Sequence, residues 1–184
     1  MAGLTVTVLA GTVMCALLPA PAVAEETPEQ RMKECEQDDV ASLSIRACTI
    51  LLSSGNLDNA TRAKVYSLRA RSWLTEDDPG EAASDYSQVL KLDDGNEQAL
   101  KGRVRAYDLQ GKYESAVSDW TSLIARNPKQ DPFYRGRGAS LRGAKRYGEA
   151  LTDFNKSLEM NPAGLDAYIG RAMVYEAIGD RAKA

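Results

Sequence analysis

The chain has 184 residues, 43% apolar and 27% charged, an ordinary globular composition with enough length for one domain and a sizeable core. Its formal net charge is -3, so nothing suggests the strongly basic face that nucleic-acid binding needs. It contains no histidine, which removes the commonest general base and the commonest metal ligand together.

The first 24 residues carry no charged side chain. Leu4 to Leu18 form an apolar run, too short and interrupted to span a bilayer as a helix of about 20 residues. Pro19 and Pro21 follow, then Ala22-Val23-Ala24, which fits a signal-peptidase site before Glu25. Residues 1–24 are predicted to be an export signal, although no Lys or Arg precedes the apolar run; an uncleaved anchor is the alternative. Met14 before Cys15, with no Leu opening the box, argues against a lipidated cysteine. The expected location is periplasmic or secreted, with no membrane insertion after cleavage.

Residues 25–41 form an acidic segment, and 25–62 hold eight acidic and four basic residues; 63–184 are near +1. Cys35 and Cys48 remain after cleavage. An even count in an exported chain reads as a disulfide, worth roughly 3 kcal/mol in the chain-entropy model. Two inert buried thiols are the alternative. Two Cys without His cannot fill a tetrahedral zinc shell. Residues 42–54 read as an amphipathic helix ending at Gly55-Asn56, so 42–62 are expected to be a capping helix and turn.

From residue 63 onward the sequence repeats in a 34-residue frame without a gap: 63–96, 97–130, 131–164 and a partial copy at 165–184. Column four reads Tyr66, Leu100, Tyr134, Tyr168; column eight Ala70, Val104, Gly138, Ala172; column eleven Trp73, Tyr107, Leu141, Tyr175. These lie at i, i+4 and i+7, one stripe of a helix. Column 20 (Ala82, Ala116, Ala150, Ala184) and aromatic column 24 (Tyr86, Trp120, Phe154) mark a second helix. Small residues at columns eight and 20 allow close approach, and the aromatics fill the space around it. Asn127-Pro128 and Asn161-Pro162 break the chain between repeats, while Pro79 capped by Asp78, Gly111 and Gly179 punctuate within them.

This pattern resembles the tetratricopeptide repeat in length and column chemistry over residues 63–184. Asp94 stands where Pro is usual. The resemblance implies an all-α fold, a right-handed solenoid of antiparallel helix pairs. The chain stops part-way into another second helix. Two expectations follow: a longer exported protein, of which this would be a helical accessory module, or a C-terminal face that docks on a partner or on itself.

Column seven is Arg69, Arg103, Arg137 and Arg171; column 23 is Asp85, Asp119 and Asp153. Their joint recurrence predicts structural ion pairs at helix junctions, each Arg forking onto an Asp of its own repeat or the next. The alternative is a row of phosphate-binding arginines.

In the resembled family the first helices line a concave face along which peptides lie. Carried over by column, the groove is Arg71, Lys101, Arg105, Arg135, Arg142, Ile169 and Met173, basic in the middle, interrupted by Asp108 and more apolar at the end. That charge favours an acidic protein segment. Arg71, Lys101 and Arg105 lie near the columns of the family's chaperone clamp, but its Asn partners are missing. Glu34 to Asp39 could instead fold back into the groove, or the cations could simply form a solvated face. No G-x-S-x-G elbow or Walker loop is present, so the expected function is a non-enzymatic scaffold or adaptor with a protein partner and no cofactor.

Overall fold

The structure, a computed structural model, describes residues 26–37, 39–180 and 182–183. The predicted export signal and Cys15 lie outside them. The described residues form α-helices joined by short turns, with no strand among them. In chain order they are α1 (Pro28–Cys35), α2 (Ala41–Ser53), α3 (Asn59–Thr75), α4 (Pro79–Leu92), α5 (Glu97–Leu109), α6 (Tyr113–Arg126), α7 (Asp131–Gly143), α8 (Tyr147–Met160) and α9 (Leu165–Ala177). Each helix packs on its predecessor and its successor, and α3–α5 and α7–α9 also touch. This is an all-α solenoid: α3–α4, α5–α6 and α7–α8 are the three repeats and α9 opens a fourth.

The turns inside the repeats are built alike. Column 15 takes the left-handed conformation each time: Asp77 (φ 58°), Gly111 (68°), Lys145 (61°) and Gly179 (81°). One residue on, an N–H reaches back to column eleven: Asp78 to the Trp73 carbonyl at 2.8 Å, Lys112 to Tyr107, Arg146 to Leu141 and Asp180 to Tyr175 at 2.9 Å. These bonds satisfy carbonyls left over at the helix ends. The second helix then starts at once, and its column-20 alanines Ala82, Ala116 and Ala150 are fully buried between the pair.

The N-terminal part differs from the expectation of a lone capping helix. The acidic segment contains helix α1, opened by a capping box in which Thr27 and Gln30 bond reciprocally. Asp58 caps α3 by accepting from the Thr61 N–H at 2.8 Å, so α3 begins at Asn59, inside the expected turn. The cap is a helix pair, α1–α2. Ser44 Oγ donates to the Cys35 carbonyl at 2.7 Å, and Ser72 Oγ donates to Ser44 Oγ at 2.9 Å, tying α1, α2 and α3 together. Cys35 and Cys48 are buried there with their sulfurs 2.03 Å apart, at disulfide-bonding distance.

The column-seven arginines Arg69, Arg103 and Arg137 sit at junctions of three helices. Arg69 donates from Nε and Nη2 to Asp85 at 2.8 and 2.8 Å, Arg103 to Asp119 at 2.8 and 2.7 Å, and Arg137 to Asp153 at 2.7 and 2.8 Å. Every one of these pairs lies within its own repeat. The remaining Nη1 reaches back to the preceding second helix: Arg69 to Thr49, Arg103 to Ser87, Arg137 to Thr121 and Arg171 to Asn155. Each guanidinium also lies 5.2–5.9 Å from a tyrosine ring centroid. The bond to its aspartate raises the pKa of Arg69, Arg103 and Arg137 against the opposing effect of burial.

Candidate peptide-binding groove

The first helices α3, α5, α7 and α9 carry the groove residues on one side. The floor between them comes from the second helices. Gly102, Gly136 and Gly170 occupy column six of α5, α7 and α9, where a Cβ would meet Tyr86 at 2.2 Å, Trp120 at 2.3 Å and Phe154 at 2.4 Å. The missing side chain lets each column-24 ring slide under the next repeat's first helix and reach the groove. Reading these aromatics as core alone missed this role. The recurring glycine at column six was the available signal.

The structure gathers the groove residues into two groups rather than one basic strip. A cavity of about 450 Å³ between α3 and α5 is lined by Arg71, Leu74, Tyr86, Gln98, Lys101 and Arg105. Burial pushes the Tyr86 hydroxyl up, and the charges of Arg71 and Arg105 oppose that shift, which places both cations near the hydroxyl. Lys101 is paired with Glu97 one turn away at 3.0 Å. Tyr86 offers a hydroxyl donor among three cations, an arrangement suited to a carboxylate.

A second cavity of about 440 Å³, between α7 and α9, is walled by Ala139, Ile169 and Met173 and floored by Trp120 and Phe154. Arg135 and Arg142 line it too. Arg135 forms an ion pair with Asp166 and so brings little net charge. The Nε–H of Arg142 and the indole N–H of Trp120 are buried without a hydrogen-bond partner among the described residues. This half of the groove fits apolar side chains with polar groups at the edge.

The acidic stretch near residue 36 lies at the groove's N-terminal edge, where Glu36 pairs with Lys64 at 2.6 Å. No residue of it lines either cavity. Asp38 lies outside the described residues. Among the described residues no group of three His, Cys, Asp or Glu side chains could hold a metal ion.

Asp108 lies between the two groups. It accepts from the Ser140 hydroxyl of α7 at 2.9 Å. Burial pushes its carboxyl up, more than the Ser140 bond lowers it. A carboxyl whose folded pKa is raised stabilises the fold below the unfolded value and loses that contribution as pH rises through the folded one. Asp108→Asn is therefore expected to be more stable than the parent at neutral pH and equal to it in acid. Urea unfolding at both pH values checks this; an Asn variant weaker at neutral pH would show that the Ser140 bond outweighs burial.

Residues 67–135 match the family model described as tetratricopeptide repeat. No curated protein matches the sequence. The crystal structure of MamA protein is similar at 16% identity and a TM-score of 0.72, over 85% of this chain and 85% of that one. The Arabidopsis OM64 TPR domain is similar at 21% identity and a TM-score of 0.58, over 65% of this chain and 99% of that one. So is the second TPR domain of human RPAP3, solved in complex with the HSP70 peptide SGPTIEEVD, at 22% identity and a TM-score of 0.58, over 64% and 98%. Repeat length, column chemistry, helix pairing and these likenesses agree: residues 67–135 match the tetratricopeptide repeat, and the described residues share the all-α solenoid fold of these neighbours.

Proposed function

We propose that the chain is a non-enzymatic scaffold that holds an extended, acidic segment of another protein along its first helices, in the cell envelope after removal of residues 1–24. The observation that carries this reading is the α3–α5 cavity, which Arg71, Lys101 and Arg105 line together with Tyr86. A carboxylate there gains charge-assisted bonds in a partly desolvated site. The apolar α7–α9 cavity takes a side chain farther along the same segment. The similar RPAP3 domain is solved with a peptide whose last residues include two glutamates and an aspartate.

Fluorescence anisotropy with ten-residue acidic peptides, each beside a copy with Asn and Gln in place of Asp and Glu, tests the groove. The acidic members should bind more tightly and weaken with salt, and Lys101→Ala with Arg105→Ala should weaken them about tenfold. Equal binding of the acidic and amide copies sinks the reading. The charge-free residues 1–24 and the two cysteines support the envelope location. Intact mass of the cellular protein, beginning at Glu25 or not, decides that part.

A further inference from the structure

Helix α1 is held differently from the helices that follow it. Each of α2 to α9 buries three or more side chains. Along the eight residues of α1 the one buried side chain is Cys35. Pro28, Glu29, Gln30 and Lys33 are exposed, and Met32 packs only partly against the cluster of Cys35, Ala47, Cys48, Leu51 and Val65. The capping box of Thr27 and Gln30 and the Arg31–Glu26 pair lie within the segment itself and do not tie it to α2. An isolated helix of this length does not persist in water, so α1 depends on what it is docked to.

The links from α1 to the rest of the chain are slight. Ser44 Oγ donates to the Cys35 carbonyl at 2.7 Å. Glu36, one residue past α1, pairs with Lys64 at 2.6 Å, but both side chains are exposed and such a surface pair contributes little. Helix α2 has a second partner. Val65 and Leu68 of α3 pack in its cluster, and Ser72 Oγ donates to Ser44 Oγ at 2.9 Å. The weak seam of the N-terminal cap therefore runs between α1 and α2, and the bond between Cys35 and Cys48 crosses it.

We propose that this bond is a redox latch: α1 docks on α2 when Cys35 and Cys48 are oxidised and comes away when they are reduced, while the solenoid beyond it stays folded. On closing, two thiols form one S–S bond and pass two electrons and two protons to a disulfide oxidant, which leaves as two thiols. On opening, a dithiol returns two electrons and two protons to the sulfurs and becomes a disulfide itself. Cys35 and Cys48 are 1% and 0% exposed, so exchange requires α1 to lift, and a seam that buries so little else permits it. Release uncovers the face of α2 around Ala47 and Cys48 and parts Glu36 from Lys64 at the edge of the groove. The latch does not rest on what the groove binds.

Hydrogen exchange followed by mass spectrometry on the full chain tests this. Cys15→Ser leaves Cys35 and Cys48 as its cysteines. The chain is measured air-oxidised and again in excess dithiothreitol. Reduction is expected to speed exchange in residues 28–37 about a hundredfold, the loop-closure contribution of the bond expressed as a ratio, and to change α4 to α8 by less than about twofold. A chain carrying Cys35→Ala and Cys48→Ala should exchange fast in 28–37 with or without the dithiol, which separates loss of the bond from a side effect of the reductant. Equal exchange of 28–37 in the oxidised and reduced chain, whether fast or slow, overturns the proposal. Protection lost throughout α4 to α8 also overturns it, because the bond is then a staple of the whole fold. So do two reactive thiols in the unfolded, oxidised chain, because no bond then crosses the seam.

Discussion

Asp119→Ala is expected to cost about 3–5 kcal/mol of stability, the range for removing one partner of a buried ion pair. Asp119 is 5% exposed and receives two bonds from Arg103, at 2.8 and 2.7 Å. Its removal leaves a guanidinium wedged between α4, α5 and α6 with only the Ser87 hydroxyl as acceptor. The surface pair Lys156–Glu159 is nearly as short, 2.9 Å, but its side chains are 46% and 66% exposed. Glu159→Ala should therefore change stability by less than about 1 kcal/mol. Burial decides between the two cases, not distance. Replacing both partners at once, Arg103→Met with Asp119→Leu, should recover most of the loss, because the penalty belongs to the stranded charge rather than to a missing attraction. Urea unfolding of the parent and the three variants followed by circular dichroism gives the comparison. An Asp119→Ala midpoint within 1 kcal/mol of the parent, by the measured slope, would contradict the buried-pair account.

Much of the fold was legible because the 34-residue frame repeats side chains with simple geometric meanings. Ala82, Ala116 and Ala150 marked a close helix contact, and Arg with Asp recurring together at fixed columns favoured ion pairs over a row of phosphate-binding arginines. The N-terminal helix pair was not legible as a repeat, for a reason the ladder exposes. Arg103, Arg137 and Arg171 reach back 16 residues to Ser87, Thr121 and Asn155, but Arg69 reaches back 20 to Thr49. Helix α3 has 17 residues where α5, α7 and α9 have 13, with the extra turn at its N-terminal end, so α1–α2 falls out of frame. The groove's columns were legible while its charge was not. Glu97 partly neutralises Lys101, an i,i+4 pair that helix periodicity allows, but Asp166 partly neutralises Arg135 from the next repeat, which helix periodicity alone does not show. The aromatics of column 24 showed their size in the sequence but not their place in the lining of the groove, which depends on three glycines in the neighbouring helices.

Those glycines carry the other large effect. An alanine in place of a mid-helix glycine normally stabilises by about 0.5–1 kcal/mol through backbone entropy. At Gly136 the sign should reverse. A Cβ there would lie 2.3 Å from Trp120 Cζ2 and 2.6 Å from Cε2, and a ring cannot bend away as a flexible chain end can. Trp120 is itself pinned, 5.9 Å from the Phe133 ring on α7. Gly136→Ala is expected to destabilise by about 1–3 kcal/mol, the usual cost of overpacking, even after the helical gain. Gly148, in α8 with nothing within 4 Å of its added Cβ, is the control, and Gly148→Ala should stabilise by about 0.5 kcal/mol. The N-terminal junction shows how the pair of positions trades volume. There Leu68 takes column six, and Cys48, the residue before Thr49, takes the place that Tyr86 holds before Ser87; both pack in one buried cluster. A large side chain in α3 is accommodated because the one below it is small. Trp120→Ala combined with Gly136→Leu should accordingly be far more stable than the sum of the two single changes, with a coupling of about 1–3 kcal/mol. Additive single and double variants would mean that the ring is not held against α7 in solution, and the aromatic floor of the groove would be lost with it.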